Sequence, residues 1–459
     1  MIKRTSALSN LNYKKVFLCF LLFQVMCIVV FLIQPNLTFN LQKIYRILLK
    51  IIKRRDNKTI LIWNSPNRIE TAAFGLGHEP FVQHGCEVST CVVFDNTSVL
   101  PLEDYDAIIV NIQELWKIGM PSFNRQKHQR LVFLTQESPT TLPYIEYHLV
   151  ENLFNWTMSY KLNSDVLLLY GRIRPGPKAP TNLADTHKMM EEMHLQSARN
   201  YAANKTRQVV WMASHCNTKS LRETYVRELS KFISVDVYGG CGNFSCDRNG
   251  THWLSHPECY DKLEAEYKFY LSFENSICTD YATEKFFEIL KRRMIPVVYG
   301  GANYSAIAPH HSYINVLDFE TPEKLAQYLR FLDENDMFYN EYFWWKEHYQ
   351  VEAGVDQMAR HGFCDLCKKL HQEEEVIKYY PELISEWHPS TQCKYFNSWE
   401  RTTTSTSTTS TIPTTPTSST TQSITTSTIA PNCTNITDIQ KSPRLHKKLL
   451  GYVMQRLLP

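Results

Sequence analysis

A carboxylate follows one of the predicted buried strands. The segment RLVFLTQESP ends a strand and places Gln136, Glu137 and Ser138 directly before Pro139. Because ligands bind at the carboxyl ends of strands in an open α/β sheet, we expect Glu137 to face a cleft. A carboxylate there can act as a general base that takes a proton from an attacking hydroxyl group. The alternative is a glutamate that only caps the next helix.

A second candidate lies where a helix begins. Asp280 and Tyr281 precede Thr283-Glu284-Lys285, which opens a predicted amphipathic helix. Backbone N–H groups at a helix start attract phosphate, and Lys285 would add a positive charge there. Glu284 could accept hydrogen bonds from ribose hydroxyls. The alternative is an ordinary helix N-terminus with no ligand.

Two further charged motifs have opposite interpretations. Arg222 lies on the predicted helix after SHCNTKS, where an arginine could stabilise a departing diphosphate, although an exposed surface arginine is the alternative. The motif Asp104-Tyr105-Asp106 resembles a metal-binding Asp-x-Asp pair, but it precedes a strand, so we expect a structural role and no essential divalent metal. The chain contains no GxGxxG and no P-loop, which disfavours dehydrogenases and NTPases.

The cysteines and the glycosylation motifs indicate an oxidising compartment. Of 13 cysteines, Cys19 and Cys27 lie in an apolar run, and the others form an odd-numbered set that such a compartment would mostly pair. Cys364 and Cys367 form a CxxC motif, and the lack of a second CxxC disfavours zinc. A redox pair and two separate disulfides remain, and disulfides are favoured. Cys86 and Cys91 have a similar close spacing and are possible partners, but the sequence alone leaves the connectivity open. Further disulfide candidates are Cys216, Cys241, Cys246 and Cys259. Asn-x-Ser/Thr motifs occur at Asn36, Asn57, Asn96, Asn155, Asn204, Asn243, Asn249, Asn303, Asn432 and Asn435.

The N-terminus predicts attachment to a membrane. Lysines and arginines precede the uncharged run 16–33, which at about 1.5 Å per residue just spans a bilayer core of roughly 30 Å. The positive flank predicts a cytoplasmic N-terminus and a lumenal body. A cleaved signal peptide is the alternative. The basic amphipathic stretch 41–55 fits either a membrane-surface stem or a helix packed on the first domain.

The globular part alternates strands with helices. Hydrophobic residues make up 43% of the chain, enough for a sizeable core, and the net charge of +3 argues against a nucleic-acid binder. Predicted strands are residues 59–63, 91–94, 106–110, 130–135, 166–171, 208–214, 235–240, 267–275, 294–300 and 312–319, with helices at 221–232, 283–293 and 321–335. This alternation predicts two α/β domains with parallel sheets and a cleft between them. The Pro- and Gly-rich start of 172–206 indicates an interdomain linker without regular structure.

At this point the residues resemble a known family. The block YKFYLSFENSICTDYATEKFFEILKRRMIPVVYGG, residues 267–301, is similar to the signature of the α-1,3-fucosyltransferases. TQESP with NLFNWTMSYKLNSDVLLLYG resembles the family's acceptor domain, and LRETYVRELSKFISVDVYGGC resembles the start of its donor domain. The similarity covers about residues 60–370, and the spacing of Cys216 and Cys241 resembles invertebrate members, including those that act on the N-glycan core.

The resemblance implies two facing Rossmann-like domains of GT-B type, GDP-fucose as the donor and metal-independent inversion. Glu137 matches the family's proposed base, and the family's donor-binding positions fall on Arg222, Glu284 and Lys285, with Tyr160, Glu274 and Asn275 near the nucleotide. Members also link an early cysteine pair to a late pair, which fits Cys86 and Cys91 with Cys364 and Cys367. Where many members have paired histidines, this chain has Asn111-Ile112-Gln113, which leaves the acceptor open.

The resulting expectation is a Golgi-membrane, single-pass type II enzyme that moves L-fucose to O3 of N-acetylglucosamine on glycoprotein N-glycans, at the core or an antenna. Alternatives are another protein or glycan acceptor, or an inactive glycan-binding relative. The expected organisation is a cytoplasmic tail 1–15, an anchor 16–33, a stem 34–58, an acceptor-side domain 59–171, the linker 172–206, a donor-binding domain 207–395 and a Ser/Thr-rich tail with a terminal segment 396–459. The tail fits an extended, O-glycosylated segment.

Overall fold

The computed structural model describes residues 57–142, 150–195, 200–246, 257–372 and 377–394. The predicted membrane span, the amphipathic stretch 41–55 and the segment after 394 lie outside the described residues. Within the described ranges, no helix is long and apolar enough to cross a bilayer.

Among the described residues, the first half of the chain forms a six-stranded parallel sheet with the order β2-β1-β3-β4-β5-β6. Its strands are β1 Lys58–Ile62, β2 Cys91–Phe94, β3 Ala107–Asn111, β4 Arg130–Thr135, β5 Trp156–Ser159 and β6 Val166–Leu167. Ile60 lies opposite Ala107, and Ile109 lies opposite Val132. The inner strands are covered on both faces, which explains why they are continuous apolar runs.

The second sheet, again within the described ranges, has five parallel strands in the order β13-β12-β10-β8-β9. These strands are β8 Arg207–Met212, β9 Val235–Tyr238, β10 Tyr267–Phe273, β12 Ile295–Tyr299 and β13 Ile314–Asn315. The predicted strand 312–319 is shorter than expected, because the chain turns into a 3-10 helix at Val316–Asp318. The direction of strand addition reverses between β8 and β10, and ligands of open α/β sheets bind at such a switch point.

Helices connect and cover these strands. Their bounds are α1 Ile69–Ala72, α2 Glu79–Gln83, α3 Leu115–Ile118, α4 Leu183–Leu195, α5 Arg222–Leu229, α6 Pro257–Glu266, α7 Glu284–Leu290, α8 Tyr304–Ile307, α9 Pro322–Glu334, α10 Asp336–Glu341, α11 Val355–Leu370, α12 Leu383–Glu386 and α13 Pro389–Gln392. Helix α9 begins with a side-chain cap: the Thr321 hydroxyl accepts a hydrogen bond from Lys324 N. Leu325, Leu329 and Leu332 of this helix are buried in the core around the second sheet.

The predicted linker contains regular structure, so the expectation of an unstructured segment at 172–206 was wrong. Strand β7, Gly171–Pro175, pairs antiparallel with β14, Tyr349–Ala353. Helix α4 follows in the same segment. The Pro- and Gly-rich sequence therefore follows a strand whose partner, β14, lies far away in the sequence. A local sequence pattern cannot predict such a partner.

The C-terminal segment packs in the core of the first half, although the predicted donor-binding domain 207–395 includes it. Phe363 and Leu366 of α11 are fully buried in the same cluster as the first sheet, and Phe363 stacks on Phe74 with ring centroids 4.7 Å apart. The chain thus returns from the second sheet to cover the first one.

Disulfides tie these parts together, as the sequence predicted. The pairs are Cys86–Cys364, Cys91–Cys367, Cys216–Cys241, Cys246–Cys259 and Cys278–Cys393. The last pair was not among the candidates; it joins β11, Ile277–Cys278, to the antiparallel strand β15, Cys393–Lys394. Among the described residues, Cys91, Cys367 and His371 lie within 4.8 Å of one another, but both sulfurs are in a disulfide and cannot serve as thiolate ligands.

Candidate active site

Arg222 lies at the switch point of the second sheet. Its Nη1 donates to Phe273 O at the end of β10 over 2.7 Å, and its Nη2 donates to His215 O beyond β8 over 3.3 Å. The side chain is buried, and its guanidinium lies 5.6 Å from the Trp211 ring. The alternative of an exposed surface arginine was therefore wrong. Burial lowers the pKa of Arg222, and the charge of Glu274 opposes this effect.

Glu274 connects the end of β10 to the start of α7. Its carboxylate accepts hydrogen bonds from Thr283 N over 2.8 Å and from Thr283 Oγ1 over 2.9 Å, and Lys285 Nζ lies 3.4 Å away. The side chain is 0% exposed, and an unpaired carboxylate at that depth would cost several kcal/mol. These partners therefore stabilise the buried carboxylate of Glu274. The Thr283 N–H, directly before α7, is occupied by Glu274.

Lys285 is shared between two carboxylates. Its Nζ donates to Thr283 Oγ1 and to Glu284 Oε1, each over 2.8 Å. Burial disfavours the charge of Lys285, but Glu274 and Glu284 outweigh burial and raise its pKa. Burial likewise disfavours ionised Glu284, yet Lys285 lowers the pKa of that carboxyl below its ordinary value. Burial raises the pKa of Glu274, and Lys285 only partly offsets it.

Some buried polar atoms around this cluster have no partner among the described residues. They include Arg222 Nε, Asn275 Oδ1 and the hydroxyls of Tyr160 and Tyr304. Buried polar groups in native proteins are nearly always hydrogen-bonded, so a concentration of such atoms beside a switch point indicates a place for a polar ligand.

Glu137 lies at the carboxyl end of β4, as predicted. Its side chain is half-buried, and Tyr281 Oη donates to Glu137 Oε2 over 3.2 Å. Tyr281 immediately precedes the segment that carries Glu284 and Lys285. Burial raises the pKa of Tyr281 well above its ordinary value, and the next causes are the charge of Glu137 and the Tyr170 phenol. The candidate base and the charged cluster therefore belong to one site.

A cleft lies on the Tyr160 side of the site, and Glu137, Arg222 and Lys285 are not among its lining residues. Its lining includes Tyr160, Tyr170, Asp280, Phe287 and Asn303. Tyr160 comes from the end of β5, whereas Asp280 and Phe287 come from the segment around α7. The structure thus places Tyr160 beside the candidate site, with its ring 4.9 Å from that of Tyr281.

Asp106 has a structural role, in agreement with the interpretation of the Asp-x-Asp motif. Its Oδ2 accepts hydrogen bonds from Thr59 N and Thr59 Oγ1, both over 2.9 Å. It lies where β3 begins, at the opposite edge from the candidate base. Lys58 Nζ, 3.4 Å away, completes this tie between neighbouring strands.

Sequence reasoning missed a polar network beside Glu137. Glu70 is 1% exposed, and its Oε1 accepts from Arg68 Nε and from Asn111 Nδ2, both over 3.0 Å. Arg68 Nη2 also donates to Gln113 Oε1 over 3.1 Å. Burial opposes the charge of Arg68, but Glu70 and then Glu137 contribute to raising its pKa. The polar residues Asn111 and Gln113 at a strand end were the available signal.

Two family models cover most of the described chain. Residues 55–171 match the model described as Fucosyltransferase, N-terminal, and residues 202–387 match Glycosyltransferase family 10 (fucosyltransferase) C-term. Alpha-(1,3)-fucosyltransferase C of Drosophila melanogaster is 34% identical over 348 residues, which are 73% of this chain and 79% of that protein. The chain belongs to the family 10 fucosyltransferases. The enzyme class predicted from the sequence, an α-1,3-fucosyltransferase, is confirmed by these matches.

Other relatives of this fucosyltransferase differ in the linkage that their names give. Glycoprotein 3-alpha-L-fucosyltransferase A of Drosophila melanogaster is 33% identical over 345 residues, 73% of this chain and 61% of that protein. A 3-galactosyl-N-acetylglucosaminide 4-alpha-L-fucosyltransferase of Bos taurus is 34% identical over 289 residues, 62% of this chain and 70% of that protein. A crystal structure of an alpha1,3-fucosyltransferase with GDP is similar at a TM-score of 0.40 and 17% identity, covering 63% of this chain and 82% of that one. The family assignment rests on the sequence matches.

Proposed function

We propose that this enzyme transfers L-fucose from GDP-fucose to O3 of N-acetylglucosamine on glycoprotein N-glycans, with inversion at the fucose anomeric carbon. The observation that carries the proposal is the proximity of a carboxylate at the end of β4 to Arg222 and Lys285, the two cations of the charged cluster at the switch point of the second sheet. Direct displacement needs both features: a base for the attacking hydroxyl and positive charge for the leaving diphosphate.

In the proposed reaction, Glu137 takes the proton of the acceptor hydroxyl as its oxygen attacks C1 of fucose. The new C1–O bond forms while the bond from C1 to the β-phosphate oxygen breaks, and GDP leaves with that electron pair. Tyr281 binds Oε2 of Glu137, so Oε1 is the oxygen available for the proton. A single displacement of this kind inverts the anomeric configuration.

Arg222 and Lys285 are proposed to hold the diphosphate. Arg222 is fixed by two carbonyl groups and retains the unpartnered Nε, and Lys285 keeps a positive charge because two carboxylates raise its pKa. Glu284, Asn275 and Tyr160 are proposed to contact the rest of the donor, for which Asn275 Oδ1 and the Tyr160 hydroxyl are unpartnered buried groups. Glu274 positions Lys285 and the Thr283 main chain.

Metal-independent transfer remains part of the proposal, with Arg222 and Lys285 supplying the positive charge that a divalent ion would otherwise supply. We also propose a Golgi membrane location with a lumenal catalytic part. Five disulfides among the described residues and the basic residues before the apolar run 16–33 support this location.

The acceptor is proposed from the relative named glycoprotein 3-alpha-L-fucosyltransferase A. The bovine relative named a 4-alpha-L-fucosyltransferase makes transfer to O4 the second candidate. A panel assay would decide between them: the full-length purified enzyme, GDP-fucose, and N-glycans that differ in the core and the antennae, with the product linkage determined by NMR.

We expect fucose in α-1,3 linkage to N-acetylglucosamine, in the presence of a chelator as well as in its absence. Separate titrations of GDP-fucose and GDP test the remaining alternative of an inactive glycan-binding relative. An enzyme that binds neither nucleotide, or that binds glycans without turnover, would contradict the proposed function.

A further inference from the structure

The Tyr281 hydroxyl reaches the candidate base from the donor side of the site. Tyr281 lies between β11 and α7, directly before the cluster that is proposed to bind the donor, whereas Glu137 follows β4 of the first sheet. Tyr281 Oη donates to Glu137 Oε2 over 3.2 Å. Among the described residues, this is the one hydrogen bond that the Glu137 carboxylate receives.

The chain before Tyr281 is fixed on several sides. The Cys278–Cys393 disulfide holds the end of β11, and Thr279 N donates to Gln392 O over 2.8 Å. Asp280 adopts a left-handed backbone conformation with φ of 60°, and its Oδ2 accepts from Leu162 N over 3.1 Å. These restraints come from elements that are far apart in the sequence. The position of the Tyr281 phenol is therefore determined by the folded site and not by its local sequence.

The ring of Tyr281 is enclosed as well. It is 2% exposed, with ring centroids 4.9 Å from Tyr160 in an edge-to-face contact and 6.5 Å from Tyr170. Trp387 packs behind Tyr160 at 5.8 Å. A ring held in this way leaves the hydroxyl little freedom, which is the condition for one hydrogen bond to fix the direction of a carboxylate.

We infer that Tyr281 is a positioning residue that orients the Glu137 carboxylate, so that one oxygen is held and the other faces the acceptor hydroxyl. This inference rests on the proposed role of Glu137 as the general base. It also means that the half of the enzyme that binds the donor helps to align the base in the other half. The base would thus be correctly aligned only when the two halves are assembled around the cleft.

Several charged or titratable groups lie near the Glu137 carboxylate, and they show which of its contacts is a hydrogen bond. Arg68 contributes a positive charge, and the phenols of Tyr160, Tyr170 and Tyr281 interact with the Glu137 charge. Of these, Tyr281 is the group that donates to the carboxylate. A hydrogen bond to one carboxylate oxygen fixes the direction of the carboxylate, so its loss lets Glu137 turn away from the acceptor hydroxyl.

The test is the Tyr281→Phe variant of the full-length enzyme. We expect the single-turnover rate to fall by roughly tenfold to hundredfold, the range for one hydrogen bond to a charged group. We also expect the loss to appear in kcat and not in the KM for the donor, because the donor contacts are unchanged. The Kd for GDP, measured by calorimetry, should remain within about twofold, because the change lies at the base and not at the diphosphate cluster.

Tyr339→Phe is the matched control. Tyr339 is also fully buried, and its hydroxyl donates to a main-chain carbonyl, Lys268 O, over 2.9 Å. The same hydroxyl also lies 3.4 Å from Arg293 O. Both variants lose a buried hydroxyl and about 1 kcal/mol of stability, but only Tyr281→Phe should lower the single-turnover rate. An unchanged rate in Tyr281→Phe would overturn the inference. A weaker Kd for GDP with an unchanged rate at saturating donor would overturn it too, since Tyr281 would then serve the donor.

Glu137→Gln separates this inference from the proposed function. If Glu137→Gln keeps near-normal turnover, Glu137 is not the base and the proposed mechanism fails, together with everything that rests on it. If Glu137→Gln is inactive while Tyr281→Phe matches the control, only the role of Tyr281 fails. The double variant, Tyr281→Phe combined with Glu137→Gln, is then compared with Glu137→Gln alone. Equal residual rates in these two enzymes are expected for groups that act as one unit, and they would support the inference.

Discussion

Lys285 has to serve two purposes at the scale of single residues. It neutralises Glu274, which is fully buried, and it is proposed to attract the donor diphosphate. A bound diphosphate would compete for the same Nζ with Glu274, Glu284 and the Thr283 hydroxyl. The donor can therefore rearrange the cluster when it binds, and Glu284 would be free to turn towards ribose hydroxyls.

We predict that Lys285→Ala weakens the Kd for GDP by at least about tenfold, as expected when a charge-assisted contact to phosphate is lost. It should also lower the free energy of unfolding by about 3 kcal/mol, because Glu274 stays buried without its partner. Lys291→Ala on the exposed end of the same segment is the control, since Lys291 contacts Glu288 and, over 3.4 Å, Ala353 O, and neither is proposed to bind the donor. A Lys285→Ala enzyme with wild-type affinity for GDP and GDP-fucose would exclude the phosphate role.

Much of the candidate site could be predicted at this scale. Glu137 follows an apolar strand, and Glu284 and Lys285 open an amphipathic helix, so local patterns locate both. The burial of Arg222 could not be predicted, because it depends on the carbonyl ends of two strands that are distant in sequence. Tyr281 was not chosen for the same reason: its partner Glu137 lies on another sheet.

At the scale of elements, two disulfides constrain nearly the same loop of the unfolded chain. Cys86–Cys364 and Cys91–Cys367 both join the first half of the chain to α11, with sequence separations of 278 and 276. Once one of them is closed, the other closes only a short additional loop. The chain entropy that they remove from the unfolded state is therefore mostly shared between them.

Replacing one pair with alanines should cost about 3 kcal/mol or less of unfolding free energy, the value for a short loop. Replacing both pairs should cost more than the sum of the two single replacements, because the long loop, worth about 5 kcal/mol, then opens as well. Denaturant unfolding of the three variants measures this. Additive costs would show that the two bridges act independently.

Asp165 connects a second C-terminal element to the first sheet. Its carboxylate accepts from Tyr380 over 2.6 Å, from Thr157 N over 2.8 Å and from Lys378 over 3.0 Å. Burial would raise the pKa of Asp165, but these bonds outweigh burial and lower it below 3.8. A carboxyl with a lowered pKa in the folded state contributes stability above its unfolded pKa, and this contribution is lost as the pH falls through the folded value.

We therefore predict that Asp165→Asn lowers the free energy of unfolding by about 2 kcal/mol at pH 7. The difference from wild type should shrink as the pH falls below about 4, because wild-type Asp165 then becomes protonated. Urea unfolding across this range measures it, with Asp185→Asn on the exposed start of α4 as the control. A difference that does not depend on pH would show that the charge of Asp165 is not what holds this element.

The strands were the elements most readily predicted, because fully covered parallel strands are continuous apolar runs such as Ala107–Asn111. The antiparallel pair β7 and β14 could not be predicted, because its strands are far apart in sequence and the Pro- and Gly-rich end of β7 does not indicate a partner. The cysteine pairing that the resemblance implied did indicate that α11 returns to the first half, but the burial of Phe363 and Leu366 in that core could not be predicted from the CxxC motif.

At the scale of the whole molecule, the sequence predicts a secretory-pathway body, and the structure distinguishes among its glycosylation motifs. Asn155 is 0% exposed; its Oδ1 accepts from Leu131 N and its Nδ2 donates to Lys378 O, both over 2.9 Å. Asn96, Asn204 and Asn303 are exposed. A glycan attached to Nδ2 of Asn155 could not be accommodated in this closely packed core.

We predict that the enzyme from eukaryotic cells carries N-glycans at exposed motifs and none at Asn155. Glycopeptide mass spectrometry of the purified full-length protein measures the occupancy of each site. Substantial occupancy at Asn155 would contradict the structure of this region, and no occupancy at any motif would contradict the lumenal location.

The proposed reaction depends on the Glu137 carboxylate as its base. The most direct test of the account is therefore the single-turnover rate of Glu137→Gln in the full-length enzyme. With GDP-fucose and the best N-glycan acceptor, we predict a rate that is lower by about 10²- to 10⁴-fold, the usual contribution of a general base, and a Kd for GDP that stays within about twofold. Glu151→Gln, an exposed glutamate of the same half, should behave as wild type. A Glu137→Gln enzyme that binds GDP normally and transfers fucose at a near wild-type rate would contradict the central claim.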